Sequence, residues 1–75
     1  MWGSFMATYK VRCKGNRVRV EAPTGWHAIR AVADMRGERL VGDAEVHTRR
    51  CGREVCRQRL YGGSWVIAYP KKVLT

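Results

Sequence analysis

The stretch YKVRCKGNRVRVE (residues 9–21) decides the fold. Tyr9, Val11 and Cys13 alternate with Lys10, Arg12 and Lys14; Gly15-Asn16 interrupts; then Val18 and Val20 alternate with Arg17, Arg19 and Glu21. A period of two is the spacing of a half-buried strand, and Gly-Asn tolerates positive φ, so the stretch predicts a hairpin with one apolar and one charged face. A two-residue loop at Gly15-Asn16 sets Cys13 opposite Val18, Arg12 opposite Arg19 and Lys14 opposite Arg17.

Downstream, Pro23-Thr24-Gly25 breaks the strand, and Thr24 can cap a helix running from about Gly25 to Arg36, closed by Gly37. Trp26, Ala28, Ile29, Val32, Ala33 and Met35 form a stripe at helical spacing for one sheet face, leaving His27, Arg30 and Asp34 in water. After a short link at Val41-Gly42-Asp43, strands are expected over residues 44–50, 54–61 and 64–69, with turns at Cys51-Gly52-Arg53 and Gly62-Gly63 and a stop at Pro70. A two-residue loop at Gly62-Gly63 places Cys56, Leu60, Trp65, Ile67 and Tyr69 on the core face and Arg57 and Arg59 opposite. An odd loop at the preceding turn adds Ala44, Val46 and Thr48 to the core set.

The expected architecture is α+β: a ββαβββ two-layer domain, a mostly antiparallel five-stranded sheet of order 2-1-3-4-5 with one helix packed on one face. The domain is assigned to residues 9–70. Residues 1–8 read as a flexible N-terminal segment or expression scar, and residues 71–75 as a basic C-terminal tail.

The chain has 75 residues, 45% of them hydrophobic and 28% charged, enough for one small core. A domain of this length buries only about 60% of its unfolded surface, which argues against a deep enclosed active site. The longest apolar run, Trp65 to Tyr69, is far short of the roughly 20 residues that span a bilayer, and no signal peptide is visible, so no membrane partner is expected. Three cysteines without a secretion signal point to free thiols in a reducing compartment, hence a cytoplasmic location.

Fifteen Lys and Arg against six Asp and Glu give a net charge of +9, which implies an anionic partner. Arginine supplies most of it, the residue suited to phosphate forks and stacking. Lys10, Arg12, Lys14, Arg17, Arg19, Arg57 and Arg59 are expected on the sheet face opposite the helix, joined by Arg49 or by His47 according to register. Arginine directly across from arginine costs a few tenths to about 1 kcal/mol, a cost that an intervening anion removes. Phosphates along a nucleic acid, DNA or RNA, are the expected ligand. With Tyr9, Trp65 and Tyr69 assigned to the core and Trp26 to the helix stripe, only Tyr61 and Trp2 are left for stacking. Recognition by backbone charge, with little sequence selectivity, follows.

Two other readings compete. In one, the protein is a small regulatory inhibitor or adaptor, of the kind phages encode, docking its basic face on an acidic surface of a host nucleic-acid enzyme. In the other, the charges are a solvated face that discourages edge pairing. Residues 9–50 resemble, in pattern alone, some archaeal-type ribosomal proteins and small phage-encoded inhibitors of bacterial RNA polymerase; no functional residue carries over from that resemblance.

Catalysis is not expected. His27 and His47 have no nucleophile placed beside them, Asp43 and Glu45 have Arg59 to pair with across the sheet, and Gly62-Gly63 opens no helix that could hold a phosphate. Cys13, His47, Cys51 and Cys56 have the wrong spacing and facing for zinc. No cofactor, metal or small-molecule substrate is therefore expected.

Overall fold

The first hairpin forms as its alternation requires, in a computed structural model that describes residues 6–50 and 52–70. Strands β1 (Ala7–Cys13) and β2 (Asn16–Ala22) pair antiparallel, with Cys13 opposite Asn16, Arg12 opposite Arg17, Val11 opposite Val18 and Lys10 opposite Arg19. The turn is Lys14-Gly15, not Gly15-Asn16. Both residues have positive φ, 48° and 80°, the type I′ geometry whose twist matches the flanking strands. Moving the turn by one residue shifts the register by two, so each side chain keeps its expected face.

Helix α1 (Gly25–Met35) begins at Thr24, whose Oγ1 accepts a hydrogen bond from the His27 backbone N–H at 3.2 Å. It ends at Gly37 (φ 68°), where Gly37 N–H donates to the Asp34 carbonyl and Glu38 N–H to that of Ala33. This is a Schellman closure, which only a residue at ease with positive φ completes cheaply. Ala28, Ile29, Val32 and Ala33 are buried, but the ends of the expected stripe are not: Trp26 is 42% exposed and Met35 66%. Eleven residues of helix outrun the apolar sheet surface they cover.

Strands β3 (Leu40–Thr48), β4 (Glu54–Leu60) and β5 (Trp65–Pro70) complete one antiparallel sheet, and the α+β two-layer architecture holds. The strand order is β2-β1-β5-β4-β3 rather than the expected 2-1-3-4-5, because β5 returns to pair with β1. The expected link at Val41-Gly42-Asp43 belongs to β3 as a bulge, where the register shifts between Val41 and Glu45. Gly42 (φ 71°) permits the kink, and Gln58 Nε2 donates to the Gly42 carbonyl at 2.9 Å.

The β4–β5 register differs from expectation in a way that matters. Leu60 N–H donates to the Ser64 carbonyl and Gly63 N–H to that of Leu60, closing a three-residue loop with Gly63 at φ 99°. Cys56 therefore pairs with Ala68, Arg57 with Ile67 and Arg59 with Trp65. Against the expected two-residue loop this is a slip of one, so Trp65, Ile67 and Tyr69 move from the core face to the open face, and Val66 and Ala68 replace them.

The reason is space. A Cβ built on Gly25 would lie 2.9 Å from that of Cys56 and 3.7 Å from that of Ala68, so the helix start lies almost on the sheet. In the expected register the Tyr69 ring would stand beside Cys56, and it does not fit beneath Gly25. Val46 shares a strand level with Cys56, as the odd loop at 50–52 requires, yet it is 59% exposed because the helix does not reach over β3 there.

Candidate nucleic-acid interface

One five-strand level of the open face reads Arg17, Arg12, Ile67, Arg57, Glu45 from β2 to β3. The level on one side brings Arg19, Lys10 and Tyr69 together, and the level on the other pairs Trp65 with Arg59 and Arg59 with Val41. Two-residue steps along a strand are about 6.7 Å and neighbouring strands about 4.8 Å apart. Arg12 and Arg57 thus flank Ile67 across roughly 10 Å. Lys10, Arg12, Arg17, Arg19, Arg57 and Arg59 share this face, and the central strand between them carries Trp65, Ile67 and Tyr69.

Trp65 and Tyr69, expected on the core side, stand on this face instead. The run WVIAY (residues 65–69) has no alternation and so states no facing, but an uninterrupted apolar strand belongs at the centre of a sheet, between two other strands. That signal was available. Tyr9 does lie on the helix side, packed against the core, and Tyr61 is exposed at the β4–β5 turn. Trp2 lies outside the described residues, as do Cys51 and residues 71–75.

The arginines are held on the aromatics. Arg57 and Arg59 place their Cζ atoms 4.5 Å and 4.7 Å from the Trp65 ring centroid, and Arg49 reaches to 5.7 Å from that of Tyr69. Arg49, just beyond β3, therefore joins the face. His47 is also on it, with Nε2 3.2 Å from Glu45 Oε1. Lys14 does not join: at the turn, its Nζ pairs with Glu38 Oε2 at 2.9 Å, beyond the helix C-terminus.

Glu45 bonds Arg57, whose Nη2 donates to Oε1 at 3.1 Å; its expected partner was Arg59, which the bulge sets opposite Val41. The hydrogen bonds from His47 and Arg57 hold the Glu45 carboxyl below the ordinary glutamate range. Arg57 Nε has no hydrogen-bond partner and is shielded from water, so the Trp65 π face is what holds that edge of the guanidinium.

On the helix side, Cys13 and Cys56 are buried free thiols, and burial pushes the Cys56 thiol up, keeping it protonated. Among the described residues no three His, Cys, Asp or Glu side chains cluster as a metal site would require, and no helix is long and apolar enough to cross a membrane.

No protein-family model matches the chain, and no curated protein and no solved structure matches it either.

Proposed function

We propose that the protein binds nucleic acid through the open face of its sheet, engaging phosphates with Lys10, Arg12, Arg17, Arg19, Arg57 and Arg59 and discriminating little between sequences. The observation that carries the reading is the double like-charge pairing of the first hairpin, Arg12 opposite Arg17 and Lys10 opposite Arg19, with no carboxylate among the four positions. Such pairs oppose folding, and a bound polyanion offsets them. Solubility needs no such arrangement, because the net charge of +9 could be spread over both layers.

Fluorescence anisotropy with a mixed-sequence oligonucleotide tests it. Neutralising about five phosphates makes log affinity fall against log salt with a slope near −4.5 on duplex and −3.5 on a single strand. The Arg12→Glu, Arg19→Glu double reversal abolishes binding with the fold intact. No binding at low salt, a slope near zero, or unchanged binding by the double reversal overturns the reading. So does retention from lysate of one acidic protein that survives nuclease while purified oligonucleotides do not bind; that pattern belongs to the docking inhibitor.

A further inference from the structure

We infer that the ligand is single-stranded nucleic acid, with bases laid on the Trp65, Ile67 and Tyr69 ridge of β5 and phosphates on the cations of β1 and β4 on either side. The inference rests on the reading of the open face as a nucleic-acid surface and narrows it to one form of ligand.

Shape is the first ground. Five strands at about 4.8 Å spacing make a face roughly 19 Å across, and the molecule measures 38 × 33 × 21 Å. The major groove of duplex DNA is about 12 Å wide and admits a helix or a two-stranded ribbon, so this sheet is too wide to enter an undeformed duplex and would lie on its outside. There its apolar ridge would meet sugar and phosphate and gain nothing. Unpaired bases, by contrast, offer π faces to the centre of the sheet while their phosphates reach the cations at its sides.

The groove beside Trp65 gives the second ground. It encloses about 390 Å³ and is lined by Val41, Gly42, Asp43, Glu45, Arg59 and Trp65. Glu45 is taken up there by His47 and Arg57, which leaves Asp43 as the carboxylate that can accept hydrogen bonds from base amino groups beside the Trp65 ring. A base, not the backbone, suits that place.

Energetics allow the exchange. In the free protein the Arg57 and Arg59 guanidiniums lie over the Trp65 ring, contacts that are weak at a site open to water. Base stacking on an aromatic side chain is the stronger contact, and a displaced arginine gains a phosphate. Arg59, the more exposed of the two, is free to move; Arg57 is held by Glu45.

The test compares 20-nucleotide oligo-dC, 20-nucleotide oligo-C and a 20-base-pair duplex at one fixed low salt, for the parent, Trp65→Ala and Trp65→Phe, with circular dichroism to establish folding. Single strands bind at least tenfold tighter than duplex, and the two single-strand arms report whether deoxyribose or ribose is preferred. Trp65→Ala weakens single-strand binding between about fivefold and a hundredfold and changes duplex binding less than twofold; Trp65→Phe retains most of the affinity. Equal or tighter duplex binding overturns the inference, as does a folded Trp65→Ala that loses nothing or loses both ligands alike. Should Trp65→Ala fail to fold, the strand preference and Trp65→Phe decide. Absence of binding to all three ligands removes the nucleic-acid reading itself, whereas equal binding to all three removes only the single-strand inference.

Discussion

Beneath the helix the sheet presents Val11, Cys13, Leu60, Val66 and Ala68, none more than 1% exposed, whereas its other face presents arginines around a half-buried row of Trp65, Ile67 and Tyr69. The same strands build both. The helix side takes small side chains because Gly25 brings α1 so close, and its cohesion is dispersion and water exclusion. The open side takes the largest side chains, which lean on one another as cation–π pairs and leave their charges to solvent. Val55 shows how far that roofing goes: it lies on the open face two residues from Arg57, yet is only 7% exposed. The densest packing lies between helix and sheet, and the open face is covered only by its own long side chains.

The contrast breaks most easily in stability. Leu60→Ala should cost about 2–5 kcal/mol, a large share of what a domain this size possesses, and lower Tm by about 10 °C or more. Ile67→Ala, one face away, should cost less than half as much. Thermal melts of the two variants side by side decide; equal losses would make the open face a second core and leave it no room for a partner.

Next comes Gly25→Ala. Helix propensity alone favours alanine by up to about 1 kcal/mol, but the new methyl would meet the Cys56 Cβ at 2.9 Å, backed by a sheet that cannot yield. A net loss of about 1–3 kcal/mol by urea denaturation is expected. A stabilised variant would mean the helix rides higher on the sheet than its Gly25 contact requires.

How much of this was legible follows from where the sequence repeats itself. Strands β1 and β2 alternate strictly, so their facing survived an error in the turn. Strand β4 alternates too: Cys56, Gln58 and Leu60 against Arg57 and Arg59. Capping chemistry at Thr24 and Gly37 located the helix within a residue. Strand β5 does not alternate, and its facing hung on whether Gly62-Gly63 closes a two-residue or a three-residue loop, a choice set by the clearance under Gly25 rather than by the loop itself. Strand order likewise depends on which strand can be covered twice. The basic residues of the candidate site were readable; the aromatic ridge between them needed that tertiary constraint.

A smaller effect separates binding from folding on the open face. Arg12→Glu turns the like-charge pair with Arg17 into an opposite-charge pair and should raise stability by a few tenths to about 1 kcal/mol. The same change should weaken oligonucleotide binding and flatten the salt slope by more than one, since a phosphate contact is lost and a repulsion added. A variant that is both less stable and unchanged in binding would place Arg12 in the structure and outside the interface.

The smallest expected change is at Glu45, the acidic end of the five-strand level. Its carboxyl is held below the ordinary value of 4.5 by His47 and then Arg57, so the folded state favours the ionised form. The stability this lends is complete at neutral pH, persists above the unfolded value, and disappears as pH falls through the lowered folded value. Parent and Glu45→Gln should therefore differ slightly in Tm at pH 7, the parent higher, and converge as pH falls through the lowered Glu45 value. Binding should move the other way: without the carboxylate, Arg57 is free to meet a phosphate, and Glu45→Gln should bind oligonucleotides more tightly at low salt, the gain shrinking as salt screens it. Weaker binding by Glu45→Gln would instead make Glu45 part of the contact, accepting from a base in the Trp65 groove.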